Sequence, residues 1–145
     1  MNRFPLFLLP ALVLAGCMEG TKPSPVKRPV SLYDRLGGGK AVVQVVDDFV
    51  ANVVADPNIK EKHKKHFMEG DVAGLKKKLV EQIGEATGGP QKYTGKNMKD
   101  AHKGLEITNK DFDALVADLI KALDKNKVAE DDKKELLTID RKSVV

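Results

Sequence analysis

Met98 and His102 stand four residues apart at the end of the run Gly88-Gly89-Pro90-Gln91-Lys92-Tyr93-Thr94-Gly95-Lys96-Asn97-Met98-Lys99-Asp100-Ala101-His102. That spacing places a thioether and an imidazole on one face of a helix. An imidazole flanked by apolar residues has the chemistry of an axial ligand to haem iron. Gly88 and Gly89 can take the positive φ that ends a helix, and Pro90 forbids its continuation, so a loop must lead into the Met98 to His102 segment. The other histidines, His63 and His66, lie in Lys60-Glu61-Lys62-His63-Lys64-Lys65-His66. This run reads as a solvated basic loop, with its two imidazoles as alternative iron ligands. Cys17 is the only cysteine, which excludes an intramolecular disulfide and a Cys-x-x-Cys-His attachment of haem.

The elements that must position these groups read as helices. From Lys40 to Ala55 the residues Val42, Val43, Val46, Phe49, Val50, Val53 and Val54 recur at steps of three and four, and Asp56-Pro57 stops the pattern. Branching at valine lowers helix propensity by only a few tenths of a kcal/mol each, roughly, so the spacing decides for helix over strand. After Gly70, Asp71 can cap a helix carrying Val72, Leu75, Leu79, Ile83 and Ala86, which ends at Gly88-Gly89-Pro90. Thr108 and Asp111 have the spacing of a capping box ahead of Phe112, Leu115, Val116, Leu119, Ile120 and Leu123. Val128 to Ile139 offers a shorter fourth helix. With no alternating strand pattern and no repeat, the class is all-α. Periodicity alone allows a plain four-helix bundle as readily as a layered fold, but a bundle has no use for the long, Gly-rich, weakly periodic stretch from Gly88 to Ile107.

The 145 residues suffice for one domain and carry a formal net charge of +4. The lysines are interspersed with Asp and Glu rather than with aromatics, and no Trp is present to stack on bases, so nucleic acid is not an expected partner. Residues 1–16 hold Arg3 followed by an apolar run from Phe4 to Leu14 that is too short and too broken by proline to span a bilayer. It closes on Leu14-Ala15-Gly16-Cys17, which resembles the lipobox of bacterial lipoproteins. That resemblance implies a signal peptide over 1–16, a lipid on Cys17 and an extended Pro-containing tether over 17–30, with the domain proper at 31–145. The implied location is the bacterial cell envelope, facing the periplasm, with the outer membrane favoured over the inner because Met18 rather than Asp follows Cys17.

The domain itself resembles the truncated haemoglobins, specifically their group I branch. The resemblance covers Ser31 to Leu123. It rests on Ser31-Leu32-Tyr33-Asp34-Arg35-Leu36-Gly37-Gly38, on Asp48-Phe49, on the Gly88 to His102 run and on Phe112-Asp113-Ala114-Leu115. It implies a two-over-two helical sandwich with one haem b per chain between the layers. His102 would be the proximal iron ligand, with Met98 packed on the proximal haem face. Phe49, Phe67, Leu75, Leu79, Ile107, Phe112 and Leu115 match apolar pocket positions, and Tyr93 matches an edge position near the propionates. The function so implied is binding of O₂, NO or CO.

Two departures from the family pattern bear on the distal side. Tyr usually follows the Phe matched to Phe49, but here the residue is Val50; Leu75 and Leu79 stand where Gln is frequent. Lys78 is then the one polar residue expected over the haem, as a second iron ligand when deprotonated or as a rim residue meeting a propionate. The family resemblance also implies NO dioxygenation as an activity, which the missing Tyr weakens. A six-coordinate redox or electron-transfer haem protein, with Lys78 or a nearby histidine on the iron, is the rival reading. The other departure is an apparent four-residue insertion around Lys60 to His66.

Overall fold

A computed structural model describes residues 29–144, with side chains as far as Ile139. The expectations for the signal peptide over 1–16, for Cys17 and for most of the tether fall outside the described residues. All regular elements described are helices: α1 (Leu32–Arg35), α2 (Gly38–Ala55), α3 (Glu61–Met68), α4 (Val72–Ala86), α5 (Met98–Ala101), α6 (Asn109–Lys125) and α7 (Glu130–Val144). The packing is layered, with α2 lying on both α4 and α6, and α7 closing against α6 and α1.

Two of the four long helices start where their caps were legible. Asp71 accepts a hydrogen bond from the Gly74 amide at 2.7 Å and opens α4. Thr108 and Asp111 form a reciprocal capping box at the head of α6. Helix α2 begins at Gly38, two residues before the expected start, and α7 begins at Glu130, two residues after it, and runs on beyond Ile139. The short α1 has Ser31 as its cap, its hydroxyl accepting from the Asp34 amide at 3.1 Å. The side chain of Arg35 in α1 reaches α7, where it pairs with Asp132 at 2.7 Å and with Glu135.

The end of α4 shows why two glycines stand together. Gly88 has a φ of +86°, and the Gly89 amide donates to the Gly84 carbonyl at 2.7 Å, the closing bond of a Schellman turn. Gly89 also lies so close to α1 that a Cβ there would fall 2.6 Å from the Tyr33 ring. Tyr33 in turn donates its amide to the Thr87 carbonyl at 2.9 Å and accepts the Gln91 amide on its hydroxyl at 2.7 Å. The stop at the end of α4 is therefore also a joint between α4 and α1.

One expectation is corrected. Residues 61–68 are not a solvated basic loop but the helix α3, and His63 and Lys64 are buried in it. Glu61 sits in its first turn and Lys65 and His66 in its last, each complementing the helix dipole. The inward side of α3 finds mainly polar partners, with Phe67 alone packing its ring on Phe49, so no hydrophobic periodicity announced it. His66 remains exposed.

One apolar cluster joins α1, α2, α6 and α7. Leu32, Leu36, Val45, Ala122, Leu123 and Leu136 form a closed cluster, with Phe49, Ile83, Leu119, Val128 and Ile139 packed around it. Asp48 is buried at the side of this cluster and joins α2 to the end of α6 by accepting from Lys125 at 2.7 Å and Asn126 at 2.8 Å. Those donors hold its carboxyl below the usual aspartate range.

Candidate functional site

His102 caps the C-terminal end of α5, and its amide donates to the Met98 carbonyl at 3.1 Å. Its ring Nδ1 lies 2.7 Å from that same carbonyl oxygen. Since a carbonyl can only accept, Nδ1 carries the proton and Nε2 keeps its lone pair free in the neutral ring. This arrangement fixes both the tautomer and the ring orientation, as a second-shell partner does for a metal-bound imidazole. His102 is exposed, and Met98 is half-buried one turn before it.

Helix α3 braces the chain that follows. Lys60 pairs with Asp111 at 3.0 Å, Lys62 with Glu106 at 2.7 Å, and His63 Nε2 lies 3.0 Å from the Leu105 carbonyl. Loop 102–111 is thus held at three points, which fixes the backbone immediately beyond the imidazole. The Thr108 hydroxyl and amide and the Lys60 ammonium together keep the Asp111 carboxyl far below its ordinary range.

Loop 91–95 is fastened to the outer side of α4. Glu81 accepts from the Thr94 amide at 3.0 Å and hydroxyl at 2.7 Å, and Glu85 accepts from the Tyr93 amide at 2.9 Å. Both carboxyls are held below their ordinary range by these hydrogen bonds. Lys78 donates to the Thr94 hydroxyl and lies 3.7 Å from Glu81, which turns it toward loop 91–95. The Tyr93 hydroxyl donates to the Lys96 carbonyl at 2.8 Å, within its own loop.

A cavity of about 100 Å³ opens between α2, α4, α6 and α7, lined by Val46, Phe49, Leu79, Gln82, Ile83, Leu119 and Leu136. Phe49 meets Phe67 edge to face, ring centroids 6.2 Å apart. Leu75, Phe112 and Leu115 are half-buried and Ile107 is 37 % exposed. Val50 is buried. Of the residues singled out in the sequence, the structure thus joins Phe49 to Leu79 in the cavity and Phe49 to Phe67 by ring contact. His102, Met98, Tyr93, Ile107, Phe112 and Leu115 do not line that cavity. Lys78 does not line that cavity either, and Gln82 is the one polar side chain that does. It was passed over because an amide on an amphipathic helix reads as solvent-facing, yet its position three residues after Leu79 put it on the same face.

The donor set determines what the site can hold. No group of three or more His, Cys, Asp or Glu side chains able to hold a metal ion occurs among the described residues. One imidazole cannot bind iron stably, so His102 needs a group that brings most of the iron's ligands itself. The half-buried apolar side chains fit the flat, largely apolar body of a porphyrin, and the free Nε2 of His102 fits its axial position.

Comparison with known proteins agrees with this geometry. The bacterial-like globin family matches residues 31–142. A group 1 truncated hemoglobin of Tetrahymena pyriformis is 34% identical over 99 residues, 68% of this chain and 78% of the relative. One from Mycolicibacterium paratuberculosis is 39% identical over 95 residues, 66% of this chain and 67% of the relative. The crystal structure of the T. pyriformis truncated hemoglobin in its Fe(III) form superposes with a TM-score of 0.71 at 30% identity, covering 78% of this chain and 93% of that one. This chain belongs to the bacterial-like globins and, among them, to the group 1 truncated hemoglobins, with their all-helical fold and their haem.

Proposed function

We propose that the protein binds one non-covalent haem b per chain through His102 and uses it to bind O₂, NO or CO. The observation that carries this is the hydrogen bond from His102 Nδ1 to the Met98 carbonyl, 2.7 Å long, which presents a free Nε2 from a braced loop. The haem iron supplies the electron density that binds a diatomic gas, and the protein's own part is orientation and exclusion of water. Met98 and Phe112 supply apolar surface near the imidazole; Phe49, Phe67, Leu75 and Leu79 supply it across α2 and α4. Lys78 stands where it can meet a propionate at the rim.

Absorption spectra of the ferric and ferrous protein test the reading. Wild type should show a haem spectrum at one equivalent, and His102→Ala should lose stable haem or need added imidazole to keep it. Retention of an unchanged spectrum in His102→Ala, with loss in His63→Ala or His66→Ala, would overturn the assignment.

Lys78 gives the six-coordinate reading a defined test. Release of its hydrogen bond to Thr94 and loss of its proton would make it a ligand of ferric iron at alkaline pH. A low-spin spectrum that grows with pH and vanishes in Lys78→Ala supports that state, and identical spectra assign Lys78 to the rim.

The anchoring of the domain is a separate part of the proposal. The Leu14-Ala15-Gly16-Cys17 sequence supports cleavage before Cys17, lipidation of its thiol and tethering to an envelope membrane. No helix among the described residues is long and apolar enough to cross a membrane. Mass spectrometry of the membrane fraction should find a chain starting at Cys17 with added acyl mass; an intact Met1 would refute it.

A further inference from the structure

Two residues between His102 and α6 have left-handed backbone, Gly104 with a φ of +81° and Glu106 with a φ of +50°. Glycine takes that region freely, but a residue with a Cβ stays in it only where its surroundings hold it there. For Glu106 those surroundings come from α3. Its carboxylate pairs with Lys62 at 2.7 Å, and the carbonyl one residue before it, that of Leu105, lies 3.0 Å from His63 Nε2. A carbonyl can only accept, so His63 Nε2 is the donor. The two contacts differ in weight: both side chains of the Lys62 pair are half or more exposed, where an ion pair adds little, whereas His63 is buried. The Leu105 amide in turn donates to the His102 carbonyl at 3.2 Å. Two consecutive hydrogen bonds therefore link the buried ring of His63 to the backbone of His102, whose own ring is held from the other side by the Met98 carbonyl at 2.7 Å. His63 Nδ1 is 3.9 Å from the Asp111 carboxylate, beyond hydrogen-bond reach, so its hold on the turn runs through Nε2.

We propose that His63 is a positioning residue for the haem iron: through the Leu105 carbonyl it holds turn 102–105 against the strain at Glu106, and so fixes where His102 presents its free Nε2. This rests on the haem reading given above. Loss of the donor lets Glu106 relax out of the left-handed region, and the turn moves with it. His102 then meets the iron from a changed position, which alters the bond between imidazole and iron and eases the loss of haem. The same hydrogen bond leaves His63 Nε2 no lone pair for the iron, so His63 acts on the site through the backbone alone.

The experiment compares wild type with His63→Leu, His63→Asn and His63→Gln. Leucine fills similar volume without a donor, asparagine stays polar but is too short to reach the carbonyl, and glutamine extends an N–H to about the position of Nε2. The asparagine variant serves if leucine disturbs the fold. In the ferrous haem-loaded protein, resonance Raman spectroscopy reads the iron–histidine stretch, and transfer to an acceptor globin reads haem loss. His63→Leu and His63→Asn should shift the stretch and speed haem loss about fivefold to tenfold, and His63→Gln should restore most of both. In the haem-free protein, the Leu105 amide should exchange with solvent about fivefold to tenfold faster in His63→Leu and His63→Asn. Unchanged exchange at Leu105 overturns the proposal without any haem present. A wild type that takes up haem, with the same stretch in His63→Leu and His63→Asn, overturns this proposal alone and leaves His63 a structural residue of α3. A wild type that takes up no haem overturns the site reading as well.

Discussion

The two ends of the helical sandwich are built to different standards of closure. At one end Leu123, Val42 and Val46 are at most 2 % exposed, with Leu32, Leu36 and Leu136 closing around Leu123. At the other, Leu75, Met98, Phe112 and Leu115 are only half-buried, and His102 is exposed. The same helices contribute to both: α6 runs from the half-open Phe112 to the sealed Leu123. The first end holds the fold, and the second is left unfinished for a prosthetic group to complete. A protein that sealed both ends would be a more stable bundle with no place to put a haem.

Mutations at the two ends should separate these roles. Leu123→Ala empties a fully buried position and should cost about 2–5 kcal/mol, with or without haem, by denaturant unfolding. A loss below about 1 kcal/mol in the haem-free protein would mean the sealed end is not what holds the fold. Thr108→Ala removes the α6 cap at the junction with the half-open end and should cost about 1 kcal/mol. Because Thr108 also anchors the braced loop, haem should be lost faster to an acceptor globin. Leu75→Ala should cost less than about 1 kcal/mol in the haem-free protein, since that side chain is only half-buried there. It should cost clearly more once haem is loaded; equal costs in the two states would erase the distinction between the ends.

Acidification should weaken the brace through Asp111. The Asp111 carboxyl is held well below its ordinary value by Thr108 and Lys60. A depressed pKa adds stability above the unfolded-state value, near pH 4, and that stability is lost as the pH falls further. Unfolding midpoints measured from pH 6 down to pH 2 should therefore fall less steeply in Asp111→Asn than in wild type. Parallel curves would show that Asp111 does not carry the acid sensitivity.

How much of this was legible in the sequence follows from what each element packs against. Helices α2, α4 and α6 bury apolar faces, so Val46, Leu79 and Leu119 announced them by spacing, and Asp71 and Thr108 marked their starts. The Gly88-Gly89-Pro90 stop was legible as a stop. Its second use, admitting the Tyr33 ring, depends on an approach between distant segments that no local rule carries. Helix α3 was hidden because, apart from the contact of Phe67 with Phe49, its partners are polar: the Leu105 carbonyl, Glu106 and Asp111. A Lys-rich run with polar partners looks identical to a solvated one until those partners are known. Gln82, three residues after Leu79 on α4, lines the cavity there, and its polarity hid that position.

The brace that α3 throws across to loop 102–111 bears on how this protein can be recombined with its relatives. Lys60, Lys62 and His63 come from one short stretch, and their partners at 105, 106 and 111 from another. A chimera that took either stretch alone would strand a buried imidazole and a buried carboxylate, while one that took both would carry the contacts intact. The two stretches, more than forty residues apart in sequence, therefore form a single heritable unit.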